Sequence, residues 1–119
     1  MIYTSYFGNL RNLDKNNCIA ICRWMPKWVT GIPQYLPVAP TESILDEWHI
    51  KQDIGLYIRR YQSEVLDTLN PQEIGRILDG KILLCYERPD QFCHRHLLAE
   101  WLKEHGIPCE EYIAQPTLF

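Results

Sequence analysis

The apolar run at residues 81–87, KILLCYE, constrains the fold of this 119-residue chain more than any other segment. Its five central residues are apolar, which predicts a strand covered on both faces, as in a parallel sheet. The residues that follow predict a loop at 88–91, a helix at 92–105 that Gly106 ends, and a last strand at 109–113. A strand, a helix and a strand in this order favour a right-handed parallel crossover.

The first two thirds of the chain predict the remaining elements. Apolar patterns indicate strands at 2–8 and 19–23, and four prolines make 24–40 irregular. The helix signals are, in chain order, Thr41 as the cap of a helix toward Ile50, helical spacing over 54–69, and Asn70-Pro71 at the start of a helix that stops at Gly80. The expected fold class is α/β: a single domain at 1–119 with a Rossmann-like, open, mostly parallel sheet and helices on both faces.

The charge and composition exclude several classes of protein. The net charge of −3 and a pI near 5.8 argue against non-specific binding to a nucleic-acid backbone. No apolar run approaches the ~20 residues that cross a bilayer, and Met1 leads directly into the first strand, so we expect neither a membrane segment nor a signal peptide. Five cysteines, an odd number, then favour reduced thiols and a cytoplasmic location.

Three adjacent residues, Cys93, His94 and Arg95, carry most of the chemistry that the sequence suggests. We expect them in the first turn of the helix after the buried strand, where free N–H groups and the helix dipole favour an anion. Arg95 adds a guanidinium suited to phosphate or carboxylate, and its charge would favour the thiolate of Cys93. Each residue alone is typical of a structural position, but the three together predict a site.

Glu87 and Arg23 each follow a predicted strand, and parallel strands would bring them to the same edge of the sheet. Glu87 can act as an acid or base, cap a helix or pair with Arg95, whereas Arg23 is expected to contact the anion. Neither arginine is expected to be needed for the core. Trp24 and Trp28 can stack a nucleobase or form a lid of core aromatics.

Neither a metal nor an organic cofactor is expected. No Cys-x-x-Cys pair is present, and the spacing of the potential ligands matches no standard zinc pattern. These potential ligands are Cys85, Cys93, His94, His96 and Cys109. The chain also has no glycine-rich dinucleotide turn and no Walker loop.

The chain resembles the domain-of-unknown-function 488 family, in the short form common in bacteria and their phages. The likeness covers most of the chain and is most specific in Cys85-Tyr86-Glu87 combined with Cys93-His94-Arg95. It implies that the family's signature positions here are Thr4, Arg23, Cys85, Glu87, Cys93, His94 and Arg95. Longer members tend to carry a Thr-Ile-Gly-His-Ser run where this chain has Thr4 to Gly8, and an aspartate where it has Ile21. If the family's chemistry uses those groups, this chain binds its ligand without turnover.

These features together predict a pocket for a phosphate-bearing, nucleotide-like small molecule at the carboxyl ends of the strands. The expected ligand contacts are Thr4, Arg23, Trp24, Trp28, Cys85 and Arg95. A hydrolase or transferase would use Cys93, His94 and Glu87, with Cys93 or Glu87 as the reactive group. Two alternatives stay open: a non-catalytic phage or bacterial protein that sequesters a nucleotide signal, and a protein-interaction module with structural cysteines.

Overall fold

The centre of the molecule is a parallel sheet, which a computed structural model describes together with the rest of residues 1–88 and 91–113. Its strands are β1 (Ile2–Tyr6), β2 (Cys18–Ala20), β3 (Ile82–Cys85) and β4 (Cys109–Glu111). They lie in the order β2-β3-β1-β4, and every pair is parallel. The predicted α/β fold with an open parallel sheet is therefore confirmed, and the carboxyl ends of the strands share one edge.

The α-helices of the described residues pack on one face of this sheet. They are α1 (Glu42–Lys51), α2 (Ile54–Glu64), α3 (Pro71–Leu78) and α4 (His94–Glu104). Ile21 and Leu83 of the sheet share a buried core with Leu98 of α4 and with apolar residues from the other helices. Within the described ranges, no helix is long and apolar enough to cross a membrane.

The other face of the sheet is covered without α-helices in the described part of the chain. Its core includes Leu84 of β3, Phe7 of the 3₁₀ helix Phe7–Asn12, and Ile32 of the irregular segment 24–40. The prediction of helices on both faces is therefore confirmed for the first face. It is wrong for the second face, which 3₁₀ and irregular structure covers in the described residues. Four prolines keep the segment 24–40 out of a long helix.

All four predicted strands are shorter than their apolar patterns suggested, with β3 covering only Ile82–Cys85 and β4 only Cys109–Glu111. β1 ends at Tyr6 rather than at residue 8, because Phe7 begins a 3₁₀ helix. β2 ends at Ala20, although the N–H of Ile21 still donates to the carbonyl of Leu84 at 2.9 Å. Residues just beyond the strand ends, such as Phe7 and Ile21, are apolar because they remain buried although they lie outside the strands.

The helix after β3 begins later than predicted. Cys93 has an extended backbone (φ −154°, ψ 145°) and α4 starts at His94, so Cys93 precedes the first turn rather than lying within it. The helical spacing over 54–69 likewise divides into α2 and a separate 3₁₀ turn, Leu66–Thr68. The predicted loop at 88–91 includes residues 89–90, which lie outside the described residues.

Candidate functional site

A cavity of about 350 Å³ opens beyond the carboxyl ends of β2 and β3. Side chains able to do chemistry line it, namely Cys85, Glu87, Cys93 and His94, which we call the reactive cluster. Cys85 and Glu87 come from the end of β3, and Cys93 and His94 from the start of α4. The topology thus brings two separate segments together at the edge where parallel sheets bind ligands.

Aromatic rings form much of the remaining cavity wall. Trp48, Tyr57 and Phe92 contact one another, with ring centroids 5.0–5.6 Å apart. Trp24 also lines the cavity with 57% of its surface exposed, and the hydroxyl of Tyr86 donates to its carbonyl at 2.7 Å. A wall of this composition offers apolar surface to a planar ring.

Arg23 brings a positive charge to the same cavity. Its Nε donates to the carbonyl of Pro40 at 3.0 Å. Among the contacts of residues 1–88 and 91–113, this is the one hydrogen bond of its guanidinium, so the terminal amino groups remain available to an anion.

The sulfur atoms of Cys85 and Cys93 meet as a disulfide pair within the reactive cluster. The sequence predicted five reduced thiols, and the structure differs for this pair because the end of β3 and the start of α4 place the two sulfurs in contact. Their Cα atoms are 7.5 Å apart, beyond the usual disulfide span of about 4.4–6.8 Å. Cys22 and Cys109 are free and buried, and burial raises the pKa of each thiol to about 11.

His94 is fixed in one tautomer by its surroundings. Its Nε2 lies 2.7 Å from the carbonyl oxygen of Ile21, which can only accept, so Nε2 carries the hydrogen. The lone pair of Nδ1 then faces the sulfur of Cys93 at 3.8 Å. Burial lowers the pKa of His94 to about 4, so the ring is neutral at physiological pH.

Arg95 lies in the core, contrary to the expectation that the core does not need it. Its side chain is fully buried, and Nε and Nη2 donate to the two carboxylate oxygens of Glu111 at 3.1 and 3.0 Å. Nη1 donates to the sulfur of Cys85 at 2.9 Å and to the carbonyl of Glu87. These partners use most of the donors that we had expected to hold an anion.

The structure separates the predicted site residues into two groups. Those that line the cavity are Arg23, Trp24, Cys85, Glu87, Cys93 and His94. Those outside the cavity lining are Thr4, Trp28 and Arg95. Thr4 instead donates to Glu111 at 2.6 Å, and Trp28, 65% exposed, packs edge-on against Phe7.

Several residues of this region were not predicted from the sequence. Glu111 was not considered, although it lies near the end of the last predicted strand, the same kind of position that drew attention to Glu87. The sequence around Trp48, Tyr57 and Phe92 predicts only helix or loop. No pattern in the neighbouring residues indicates that these rings lie beside β3.

Part of the reactive cluster has the spacing of a metal-binding set. One ligand atom from each of Cys85, Glu87 and Cys93 lies within 4.8 Å of the others. When the two cysteines are reduced, the cluster can therefore supply either a thiolate nucleophile or a set of ligands for a metal ion.

Fold and site together define an α/β protein with a pair of adjoining cysteines, Cys85 and Cys93, at the carboxyl edge of a parallel sheet. The chain belongs to the DUF488-N3a family, described as the active DUF488-N3 subclade, whose model matches residues 2–106. This confirms the family predicted from the sequence. The matched region contains Arg23 and the whole reactive cluster but ends before Glu111. Comparisons with curated proteins and with solved structures find no match.

Proposed function

We propose that this protein binds a nucleotide-like small molecule, with a planar ring and a phosphate group, and hydrolyses it at the reactive cluster. One observation carries the proposal: a single cavity is lined by aromatic rings, by Arg23 and by the reactive cluster. Its volume of about 350 Å³ lies at the lower end of the ~300–1,000 Å³ typical of small-molecule sites.

The aromatic wall supports recognition of the ring. Trp24 is exposed and Trp48 is half-buried, so each presents ring surface that a base can cover. Stacking of a base on an aromatic side chain contributes about 1–3 kcal/mol. Such stacking tolerates different bases. The aromatic wall therefore supports a planar ring in the ligand but favours no particular base.

Arg23 supports recognition of the phosphate. Its terminal amino groups can form charge-assisted hydrogen bonds, worth roughly 1.5–3 kcal/mol each. The N-terminus of α4, beside Cys93, adds the positive end of a helix dipole on the same side of the cavity. Arg95, which the sequence had suggested for this role, instead holds Glu111.

The reactive cluster and the family support turnover over simple sequestration. In the hydrolysis of a phosphate ester, a water oxygen bonds to phosphorus, the bond to the leaving oxygen breaks, and the leaving oxygen takes a proton. Glu87 lines the cavity and can accept or return that proton. The description of the matched subclade as active agrees with such a reaction.

The proposal is tested by calorimetric titration of the purified protein with AMP, adenosine and inorganic phosphate. We expect AMP to bind most tightly, because it alone engages both the aromatic wall and Arg23. Arg23→Ala should weaken AMP binding about tenfold to a hundredfold, since a charge-assisted bond is lost, and leave adenosine binding nearly unchanged. GMP, CMP and UMP should be included, since the cavity does not define the base.

An exposed arginine outside the cavity supplies the matched control. Arg11→Ala removes the same charge from the surface and should leave AMP binding unchanged. If none of the four nucleotides binds, or if Arg23→Ala and Arg11→Ala bind AMP equally well, the proposed ligand class is wrong. If a nucleotide does bind, release of inorganic phosphate from it would distinguish turnover from sequestration.

A further inference from the structure

We infer that the reduced protein binds one Zn²⁺ ion through Cys85, Glu87 and Cys93. The two sulfurs and one carboxylate oxygen lie within 4.8 Å of one another, so modest side-chain rotation brings all three to one ion. Cys85 and Cys93 are buried and Glu87 is half-buried, which shields the site from bulk water on the protein side. Cys85 and Cys93 were among the potential ligands in the sequence, but no metal was expected because their spacing matches no standard zinc pattern, and Glu87 was not among them.

The chemistry of the donors identifies the class of ion. Two thiolates and a carboxylate suit Zn²⁺, whereas Mg²⁺ and Ca²⁺ prefer oxygen ligands throughout. The backbone also favours a shared ion over a permanent bridge, since 7.5 Å between the Cα atoms exceeds the usual disulfide span. Oxidation of the pair and metal binding exclude each other, so the inference concerns the reduced protein.

Arg95 prepares Cys85 for this role. Its Nη1 donates to the Cys85 sulfur at 2.9 Å and so favours the thiolate that a metal requires. Glu111 holds the guanidinium through two hydrogen bonds, which fixes its direction. Hydrogen bonds of this kind to ligand atoms orient and tune metal sites.

Three protein ligands leave a fourth position on a tetrahedral ion. All three ligands line the cavity, so that position faces the space assigned above to the substrate. A catalytic zinc of this kind holds a water and lowers its pKa toward neutrality. The use of this water as the hydrolytic nucleophile rests on the proposed function. It makes Cys93 a ligand rather than the nucleophile and Glu87 a ligand rather than the acid or base, so the metal-bound and metal-free forms of the site would hydrolyse in different ways.

The test is titration with Co²⁺ and then Zn²⁺ of protein that has been reduced with a phosphine and stripped with a chelator. We expect one ion per chain, a thiolate-to-cobalt charge-transfer band, and loss of that band when Zn²⁺ displaces Co²⁺. Bound Zn²⁺ should also protect two of the five cysteines from alkylation, and mass spectrometry of peptides should identify them as Cys85 and Cys93.

Variants assign the ligands. Cys85→Ser and Cys93→Ser should each weaken Zn²⁺ binding about a hundredfold or more, since an ion loses a thiolate ligand. Cys22→Ser, which removes a buried thiol outside the set, is the matched control and should bind as the wild type does. Glu87→Gln keeps the shape of a half-buried side chain, so it reports on the carboxylate even if a cysteine variant fails to fold.

The outcomes separate this inference from the proposed function. Fully reduced wild-type protein that binds no Zn²⁺, or a Cys85→Ser variant that binds as tightly as the wild type, overturns the metal site. Protein that binds Zn²⁺ but no nucleotide supports the metal site and contradicts the proposed ligand class. Nucleotide hydrolysis that persists in chelator-stripped protein shows that the ion is not the source of the nucleophile.

Discussion

His94 shows how burial determines what a single side chain can do. Its ring is fully buried, its Nε2–H donates to the Ile21 carbonyl, and its Nδ1 faces the Cys93 sulfur. The contact with Ile21, which directly follows β2, shows that the ring points toward the sheet. The cost of burying a charge, with a smaller contribution from the positive charge of Arg95, keeps the imidazole neutral.

Stability should therefore fall in acid as His94 becomes protonated in the unfolded chain. Its pKa is lowered from 6.5 to about 4, so between these values the unfolded state binds the proton and the folded state does not. The free energy of unfolding then rises with pH across this window, and the contribution of His94, about 3 kcal/mol, is lost as pH falls toward 4. Urea denaturation of chelator-treated protein between pH 4 and pH 7 measures it.

His94→Gln keeps a donor for the Ile21 carbonyl but cannot titrate, so its stability should depend less on pH in this window. The exposed His49 serves as the control, and His49→Gln should retain the wild-type dependence. Parallel curves for the wild type and His94→Gln would show that another group causes the acid sensitivity.

At the scale of elements, the helices differ in how they begin. Thr41, Asp53 and Asn70 each accept a hydrogen bond from a backbone N–H in the first turn of α1, α2 and α3 respectively. The N-cap of α4 is Cys93, whose side chain makes no capping hydrogen bond among the described residues. The helix that carries the reactive cluster therefore begins without the side-chain acceptor that stabilises the others, and its first turn faces the cavity.

The cap of α3 can be tested apart from the site. Asn70 accepts from the N–H of Glu73 at 3.1 Å, and Asn70→Ala should cost about 1 kcal/mol of stability because that N–H loses its acceptor. Asn70→Gly should cost only a few tenths of a kcal/mol, since water can reach the freed N–H. Urea denaturation compares the two variants. Equal stability of Asn70→Ala and the wild type would show that this cap contributes nothing.

At the scale of the whole molecule, Arg95 connects the sheet, the site and the last strand. It bridges α4 to Cys85 of β3 and to Glu111 of β4, and Glu111 in turn accepts from Thr4 of β1. Residues that the family resemblance marks as signature positions, Thr4 and Arg95 among them, thus meet in a network beside the cavity. Arg95 links this network to the reactive cluster through the Cys85 sulfur and the Glu87 carbonyl.

Arg95→Ala should destabilise the fold strongly. Removing one partner of a buried ion pair typically costs about 3–5 kcal/mol, and the 23% exposure of the Glu111 side chain favours the lower end. Small domains have only about 5–15 kcal/mol of stability, so this loss is a large fraction. Denaturant unfolding measures it, and Arg95→Met combined with Glu111→Leu should recover much of the loss, because no charge is left unpaired. An Arg95→Ala variant within 0.5 kcal/mol of the wild type, a limit set by typical surface changes, would contradict this role.

Much of the architecture could be predicted from local patterns. The continuous apolar run of β3 indicated a buried parallel strand, Asn70 and Pro71 marked the start of α3, and Gly106, with a φ of 79°, ended α4. These features depend on a few neighbouring residues, so one sequence is enough to reveal them. The same patterns also indicated that Arg23, Glu87 and Cys93 reach one edge of the sheet.

The sequence by itself determined the strands and helices, the parallel sheet and the segments that meet at its carboxyl edge. Only the tertiary structure decided which side chains face the cavity. Arg95 turns into the core because Glu111, 16 residues later, offers it a carboxylate there, and Cys85 meets Cys93 because the end of β3 lies beside the start of α4. Such pairings depend on side-chain directions and on distances between segments that are remote in the chain, and neither periodicity nor spacing encodes them.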